Sequence, residues 1–457
     1  MPHLTAEYCK GCGRCMPACA RGCITLAPAV NAESGLLPVV IDLQDCNACG
    51  LCFSACPEPY ALHGDDRHFW WETADAVEPG EQPLPAPVPK DIPGERIQLP
   101  PREPLLLKGA YGAAVGALLA GCRHFFGYPI TPSTEGAELM AKILPHLDGV
   151  FVQAVSEVAA VNHMYGCGGA GLACMTFTSS PGFSLMVEGI SYMIGSELPG
   201  VFVDIMRAGP GLGNIAPSQD DIKLACRGLG HGNTHAIVLA PADPQEMLDL
   251  TMLAFELSFT YRNPVVILGD GYLGQVSGKV RLPEYMVRPG LPAWAVYGDA
   301  MHRRNLHSSI RLEEDDQEAF NVRLIEKYRR MTANEQRADL FRCSDAEVVY
   351  VASNTPSRTV KGVVQVLRER GVRAGLFRPI TLWPFPIEAL RGILPGVQRL
   401  VVVEASDGQL EDELRLALSY AGIDDHPPIG NVRRYGGNLP ETAEIIQAAD
   451  ARGEVVV

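Results

Sequence analysis

Two runs of four cysteines stand near the start of the chain: CKGCGRCMPAC over residues 9–19 and CNACGLCFSAC over residues 46–56. Within each run the cysteines are separated by two, two and three residues, and Pro57 follows the second run. Two uninterrupted runs with one spacing, so close together, predict a small domain built around its thiols.

Four cysteines at this spacing are typical ligands of a [4Fe-4S] cluster, and two such runs predict the α+β fold of a two-cluster ferredoxin. The first three thiolates of a run bind one cluster, whereas the fourth thiolate reaches the other cluster. We therefore predict one cluster on Cys9, Cys12, Cys15 and Cys56, and another on Cys46, Cys49, Cys52 and Cys19. Electrons would enter or leave the protein through these clusters.

Other uses of the cysteines are less consistent with the pattern. Zinc also binds four thiolates, but its sites usually combine two separated cysteine pairs and not runs of four. A disulfide framework is disfavoured because thiols in the cytosol stay reduced. One departure is that Ala20, and not proline, follows Cys19. The additional thiol of Cys23 could replace a ligand, although a buried structural role is more common.

The composition sets limits on the class of protein. A chain of 457 residues is too long for one hydrophobic core and predicts about three domains. The net charge of −15 argues against a nucleic-acid partner, which requires a basic surface. No apolar run of about 18 residues and no signal-peptide pattern is present, so we expect a cytoplasmic protein without a membrane partner.

We predict five segments along the chain. Residues 1–62 form the two-cluster domain, and residues 63–104 form a proline-rich linker that is extended and pairs in no sheet. An aromatic patch at residues 68–71 is expected either to anchor an interface or to fill a local core. The remaining segments are an α/β domain, a connector with a charged, solvated or subunit-facing helix, and a smaller α/β domain: residues 105–282, 283–344 and 345–457.

Within residues 105–282, apolar strand-like segments such as GVFVQAV and PVVILGD alternate with helical stretches. This alternation predicts a parallel sheet with helices on both faces and a site at the carboxyl ends of the strands. Three polar features follow predicted strands there: the turn YPITPSTE (residues 128–135), Ser156-Glu157, and Arg207. Together, these hydroxyl groups, the carboxylate and the guanidinium are suited to bind an organic acid. Glu157 also fits a plain helix N-terminus, and Arg207 fits an ion pair with Asp204 or Glu188.

Several longer segments resemble the α subunit of 2-oxoacid:ferredoxin oxidoreductases over about residues 105–445. The most similar type is 3-methyl-2-oxobutanoate:ferredoxin oxidoreductase, followed by the 2-oxoglutarate type. The resemblance rests on YPITPSTE (128–135), SEVAA (156–160), TSSPGFSLMVEGISY (178–192), RAGPGLGNIAPSQDD (207–221), GHGNTHAIVLAP (230–241) and LFRPITLWPFP (376–386).

The resemblance implies a pyrimidine-binding domain for thiamine diphosphate and a smaller domain similar to the transketolase C-terminal domain. In this family Glu157 would bind N1′ of the aminopyrimidine, within an apolar environment made by Val155, Val158 and Ala159. Thr131 and Arg207 would hold the 2-oxoacid, and Tyr128 and Pro129 would contribute to cofactor binding. Many members keep the two-cluster ferredoxin as a separate subunit, whereas here it is fused to the N-terminus.

The implied activity is oxidative decarboxylation of a 2-oxoacid with CoA to acyl-CoA and CO2, with electrons passing through the clusters to ferredoxin or another acceptor. One alternative is an electron-transfer and docking subunit without a thiamine site, and another is an aldehyde-forming decarboxylase. Gly269-Asp270-Gly271 is similar to the start of the motif that binds magnesium and diphosphate, but no asparagine follows before Asn305. A β subunit is therefore expected to supply the Mg2+ and diphosphate contacts, together with a γ subunit. His231 and His235 are expected to be structural.

Overall fold

The computed structural model describes residues 1–32, 34–58, 60–64 and 88–450, with the side chain of Asp450 excepted. The chain divides into two compact units, Met1–Ala86 and Pro87–Val457, and each is described by itself. The aromatic patch at residues 68–71 and the first part of the predicted linker lie outside the described residues.

The first unit consists of two small halves of similar construction. Its strands are β1 (Pro2–Leu4), β2 (Ile24–Leu26), β3 (Val39–Ile41) and β4 (Leu62–Gly64), and its helices are α1 (Cys15–Ala18) and α2 (Leu51–Ala55). Strand β1 pairs with β4 and β2 pairs with β3, both antiparallel. Each cysteine run therefore leads through a short helix towards a strand, and Ile24, Val39 and Leu62 form the apolar core between them.

The second unit contains two larger sheets and two small ribbons. Its strands are β5 (Glu95–Gln98), β6 (Leu105–Lys108), β7 (His124–Gly127), β8 (Val150–Gln153), β9 (Cys174–Thr178), β10 (Gly200–Met206), β11 (Ile237–Leu239), β12 (Pro264–Asp270), β13 (Ser277–Val280), β14 (Tyr285–Arg288), β15 (Ala338–Phe341), β16 (Val348–Val351), β17 (Ala374–Pro379), β18 (Thr381–Trp383), β19 (Arg399–Glu404) and β20 (Ile429–Arg433). Its helices are α3 (Gly109–Leu119), α4 (Thr134–Ile143), α5 (Glu157–Gly169), α6 (Ser180–Gly195), α7 (Ile222–Arg227), α8 (Pro244–Tyr261), α9 (Gly271–Gln275), α10 (Glu314–Asn334), α11 (Asn354–Glu369), α12 (Ile387–Ile393), α13 (Gln409–Tyr420) and α14 (Thr442–Asp450).

The larger sheet has seven strands in the order β18-β11-β12-β10-β9-β7-β8. All pairs are parallel except β11 with β18, which is antiparallel. Every residue of β9, β10 and β12 is buried, because helices cover both faces of a parallel sheet and leave no solvent-facing side. The predicted α/β fold is confirmed.

The smaller sheet has the order β15-β17-β16-β19-β20, with β15 antiparallel and the other pairs parallel. The predicted strands and helices from residue 345 are present. From residue 338 onward, four elements were not predicted: β15, β18, β20 and α14. The predicted connector helix α10 is amphipathic, since Phe320, Leu324, Tyr328 and Met331 along one side are buried while its other side is solvated.

One prediction about the linker is wrong. Residues Glu95–Gln98, which we expected to pair in no sheet, form strand β5 and pair antiparallel with β14. Pro93 and Pro100 flank this strand, but its four residues contain no proline and keep their N–H donors for the ladder.

The loop that follows β10 joins the two sheets. Gln219 donates from Nε2 to Ser353 Oγ across 2.9 Å and accepts at Oε1 from the Ala405 N–H, also across 2.9 Å. Asn354 donates to the Leu268 carbonyl across 2.7 Å. The two sheets therefore share one polar interface, and the proposed division at residues 282 and 345 stays a prediction. Among the helices in the described ranges, none has the length and apolar character required to cross a bilayer.

Candidate active site

The two cysteine runs line two separate cavities in the first unit. Cys9, Cys12, Cys15 and Cys56 line the first cavity, and Cys19, Cys46, Cys49 and Cys52 line the second. This is the distribution predicted from the spacing, in which the fourth cysteine of each run reaches the other cavity. In the described ranges no three metal-ligating side chains converge on one point, whereas four thiolates around a cavity fit a cluster of four irons.

Cys23 lines the second cavity as a fifth thiol and is buried. Its N–H donates to Cys19 Sγ across 3.4 Å. The backbone N–H of Cys23 is the main reason why the pKa of Cys19 is lowered. Burial, and then the contact with Cys19, raise the pKa of Cys23.

Glu157 is the first residue of α5, directly after the N-cap Ser156, whose side chain accepts from the Ala159 N–H across 3.2 Å. The Glu157 side chain is only 5% exposed, and no group in the described ranges forms a hydrogen bond or ion pair with its carboxylate. A Cβ at Gly182 would lie 2.5 Å from Glu157 Oε1 and 2.4 Å from Thr178 Oγ1. Gly182 therefore lets the carboxylate lie against the start of α6, with its oxygens unpaired within the described ranges.

The expected apolar environment of Glu157 is only partly correct. Val155 is 88% exposed and Val158 is also exposed, so neither covers the carboxylate; Ala159 is half-buried. The side chains that neighbour Glu157 in sequence point away from its carboxylate. The groups that enclose Glu157 come instead from the end of β9 and the start of α6, which meet it through the fold.

Arg207 directly follows β10 and is 7% exposed. Its Nη1 donates to the Thr131 carbonyl across 2.8 Å, and its Nη2 donates to the Leu212 carbonyl across 3.1 Å, while Nε has no partner. The predicted pair Thr131 and Arg207 is thus brought together, but through the backbone of Thr131. In the described ranges Arg207 makes no ion pair with Asp204 or Glu188.

A buried hydrogen-bond network holds the backbone of Arg207, and it was not predicted from the sequence. The Arg207 N–H donates to Ser180 Oγ across 3.0 Å, and the Ser180 hydroxyl hydrogen-bonds Asp221 Oδ2. Burial raises the pKa of Asp221 to about 6, and burial beside Asp221 raises the pKa of Asp204 well above its ordinary value. Two adjacent buried carboxyl groups cannot both ionise cheaply, so the pair retains a proton. The sequence feature that could have indicated this network is the pair Ser179-Ser180, directly after β9.

A cavity of about 470 Å3 is lined by Arg207, Ser180 and Asp221. Gln409 and Tyr435 also line it. Glu157 lies outside this lining. The structure therefore places the predicted residues in two groups, Glu157 with Thr178 and Gly182, and Arg207 with Thr131. Tyr128 and Pro129 follow β7 and are both exposed, and no contact in the described ranges assigns them a ligand.

The carboxylate of Asp270, in the Gly-Asp-Gly segment, is hydrogen-bonded to other groups of this chain. It accepts from the N–H groups of Leu273 and Thr355 across 2.9 Å and 2.8 Å, and from the Thr355 hydroxyl across 2.8 Å. It caps α9 and ties the two sheets, which leaves little capacity for a metal ion. The segment therefore does not fit the magnesium and diphosphate end of a cofactor.

The two histidines have structural contacts. His235 stacks on Trp383 with ring centroids 4.5 Å apart and meets the edge of Tyr328 at 5.1 Å, and burial lowers its pKa. The His231 carbonyl accepts from Ser191 Oγ across 3.0 Å. Besides Cys23, five cysteines lie outside the cluster runs, and all of them are buried: Cys122, Cys167, Cys174, Cys226 and Cys343.

Large apolar side chains are exposed on the segments that follow β7, β8, β9 and β10. They comprise Tyr128, Val155, Val158, Leu185, Leu212 and Ile215, of which Leu212 is 79% exposed. Apolar side chains gathered near a site are typical of a surface that binds another protein.

Comparison with known protein families matches three parts of the chain. Residues 8–59 match the family "4Fe-4S dicluster domain". Residues 115–291 match "Pyruvate flavodoxin/ferredoxin oxidoreductase, thiamine diP-bdg", and residues 346–445 match "Pyruvate:ferredoxin oxidoreductase core domain II".

Similar proteins cover most of the second unit. Ketoisovalerate oxidoreductase subunit VorB of Methanothermobacter thermautotrophicus is 46% identical over 344 residues, which are 75% of this chain and 96% of that protein. 2-Oxoglutarate synthase subunit KorA of Methanocaldococcus jannaschii is 34% identical over 370 residues, 75% of this chain and 98% of that protein. The solved 2-oxoglutarate:ferredoxin oxidoreductase from Magnetococcus marinus has the same fold, with a TM-score of 0.68 and 24% identity over 76% of this chain and 65% of that chain.

Proposed function

Because the chain belongs to the 2-oxoacid:ferredoxin oxidoreductases, as a subunit with a thiamine diphosphate-binding domain and a 4Fe-4S domain, we propose that Glu157, Thr131 and Arg207 form its part of the reaction site. We further propose that the enzyme transfers the acyl group of a 2-oxoacid to CoA with release of CO2. The observation that carries this proposal is the buried Glu157 carboxylate, which has no partner in the described ranges and lies directly beside Gly182.

Thiamine diphosphate, when bound, supplies the acidic carbon that adds to the 2-oxoacid and accepts the electron pair released with CO2. Glu157 would hold a proton at N1′ of the aminopyrimidine ring. Its position at the start of α5 fixes the carboxylate, since Ser156 caps the helix. Gly182 lies directly beside it, next to Thr178. Tyr128 and Pro129 are proposed to contact the cofactor from the turn after β7.

Arg207 would hold the carboxylate of the 2-oxoacid as a charge-assisted pair. Its two terminal nitrogens are oriented by the carbonyls of Thr131 and Leu212, and its unpaired Nε faces no competing acceptor in the described ranges. The Thr131 side chain is exposed beside it and is available to the substrate. The arrangement fixes the guanidinium before the substrate arrives.

We propose that a β subunit supplies the Mg2+ and diphosphate contacts, because Asp270 is engaged within this chain. The exposed apolar side chains after β7, β8, β9 and β10 support a protein partner at this edge of the sheet. Calorimetry tests this proposal: the isolated chain should bind thiamine diphosphate weakly even with Mg2+, and the assembled complex tightly. Tight, Mg2+-dependent binding to the chain alone would contradict it.

Further partners follow from the same family. We propose a γ subunit for CoA, and ferredoxin or another one-electron acceptor for the reduced clusters. We also propose a cytoplasmic location, because cluster thiolates require a reducing compartment. The activities named for the relatives make ketoisovalerate and 2-oxoglutarate the first substrates to assay.

The decisive experiment is an anaerobic assay of the purified complex. It should contain about eight irons per copy of this chain, as two four-iron clusters require. It should reduce a one-electron dye when a 2-oxoacid and CoA are both present, and omission of CoA is the control. A complex with full iron and no 2-oxoacid-dependent reduction would favour the docking subunit instead. Stoichiometric zinc would refute the cluster assignment.

A further inference from the structure

The two cluster cavities are related by the repeated cysteine spacing, but their walls differ at one equivalent position. Cys23 directly precedes strand β2 and lines the second cavity, whereas Ala61 directly precedes strand β4 and lines the first. Both side chains are buried, at 6% and 1% exposure. The second cavity therefore has a polar S–H group where the first has a methyl group.

The backbone adds to this difference. Cys19 Sγ accepts from the Cys23 N–H, and Cys46 Sγ accepts from the Ala48 N–H, each across 3.4 Å. The third cysteine of each run also receives backbone N–H groups, so that contact does not distinguish the cavities. In the first cavity, Cys56 Sγ instead lies 3.3 Å from a carbonyl oxygen, that of Glu58.

The charges at the two walls differ as well. The Glu58 carboxylate lines the first cavity and is paired with Lys10 across 2.6 Å, so the local charge is largely neutralised. Asn47, which is uncharged, has the place of Lys10 in the second run. Asp45 precedes Cys46, and its negative charge acts on Cys23. Charge therefore does not favour the second cluster, and the proposed difference rests on the hydrogen-bond donors that face the sulfurs.

Donors to cluster sulfurs stabilise the added negative charge of the reduced cluster and raise its reduction potential. We propose that the cluster held by Cys19, Cys46, Cys49 and Cys52 has the higher potential of the two, and that the Cys23 thiol is a positioning donor that raises it. Cys23 lines the cavity that this cluster would fill, so its S–H group is available as a donor at that wall. This inference rests on the proposed ligand assignment.

The consequence is a direction for electrons within the domain. One electron passes from the reduced cluster of the first cavity to the oxidised cluster of the second, with no change in bonding and no further reactant. The second cluster then holds the first electron that the domain accepts.

The test uses anaerobically purified full-length protein and redox titrations followed by electron paramagnetic resonance. Cys23→Ala gives the second cavity the wall of the first and should lower the potential of one centre only. Cys23→Ser keeps a donor and should lower it less. Ala61→Cys is the matched reciprocal variant and should raise the potential of the other centre.

Iron content separates this inference from the ligand assignment on which it rests. Cys23→Ala should keep the iron of the wild type, and about eight irons per chain show that the assigned ligands hold both clusters. A loss of half the iron would make Cys23 a ligand and overturn the proposal. Unchanged potentials in both Cys23→Ala and Ala61→Cys, with full iron, would overturn it while leaving the ligand assignment intact.

Discussion

Arg207 Nη1 donates to the backbone carbonyl of Thr131 across 2.8 Å, which joins the turn after β7 to the end of β10. The second terminal nitrogen donates to the Leu212 carbonyl. Arg207 thus holds two loops in place besides carrying the charge that we propose for binding the 2-oxoacid. Its replacement should therefore affect the shape of the site as well as its charge.

Arg207→Ala removes a charge-assisted contact and should weaken apparent 2-oxoacid binding by about 1.5 to 3 kcal/mol. Arg207→Lys keeps the charge but cannot reproduce the planar fork, so it should recover only part of the loss. Steady-state kinetics of the assembled complex measure the effect, which should appear mainly in KM. Arg123→Ala is a matched control, because Arg123 Nη1 also donates to two backbone carbonyls, at the opposite end of the sheet. A KM that is equal in both alanine variants would contradict the role of Arg207.

Gly182→Ala tests the space beside Glu157. The new Cβ would lie 2.5 Å from Glu157 Oε1, so the carboxylate must move and turnover should fall at least about tenfold, since small misplacements of catalytic groups are costly. Gly166→Ala is the control, because nothing lies within 4 Å of its Cβ and it sits in helix α5. The control should keep full activity and gain slightly in stability. Activity of Gly182→Ala at the wild-type level would show that Glu157 does not need this space.

The Asp204 and Asp221 pair predicts a pH effect on stability. Burial raises the pKa of Asp221 from 3.8 to about 6, so the folded state binds a proton more tightly than the unfolded state. The stabilisation from this proton is complete below about pH 4 and is lost as the pH rises through about 6. Asp204, Asp220 and Arg207 are the neighbouring charged groups.

Asp221→Asn should remove this loss while keeping an acceptor for Ser180. Its apparent melting temperature should rise relative to the wild type between about pH 5 and about pH 8, because ionised Asp221 costs up to about 3 kcal/mol in the folded state. Thermal melts of both proteins across this range measure the difference. A difference that stays constant with pH would show that Asp221 titrates normally.

The sequence predicted those parts of the structure that depend on local patterns. Mostly apolar runs such as β10 and β12 indicated buried parallel strands, and the cysteine spacing indicated which thiols share a cavity. Strand β18 was missed because Thr381–Trp383 is short and pairs with β11, which is distant in sequence. Strand β5 was missed because the prolines around it dominated its pattern.

The surroundings of the site residues could not be predicted in the same way. Asp221 reaches Ser180 only because the loop after β10 folds back under Arg207, and no local periodicity encodes that return. Likewise, the residues that enclose Glu157 follow β9 and were not its neighbours in sequence. Sequence patterns located the reactive side chains, whereas their environments depended on contacts between segments far apart in the chain.

The role of Glu157 is separated from that of Arg207 by a measurement that needs no substrate. Glu157→Gln keeps the size and a hydrogen-bonding group but cannot exchange a proton with N1′. The assembled complex should therefore lose turnover by roughly 10²- to 10⁴-fold, the usual contribution of a positioned proton transfer. Exchange of the C2 proton of bound thiamine diphosphate, followed by NMR, should slow in this variant and stay near the wild-type rate in Arg207→Ala. Normal exchange and turnover in Glu157→Gln would remove Glu157 from the reaction site and leave the docking subunit as the better description.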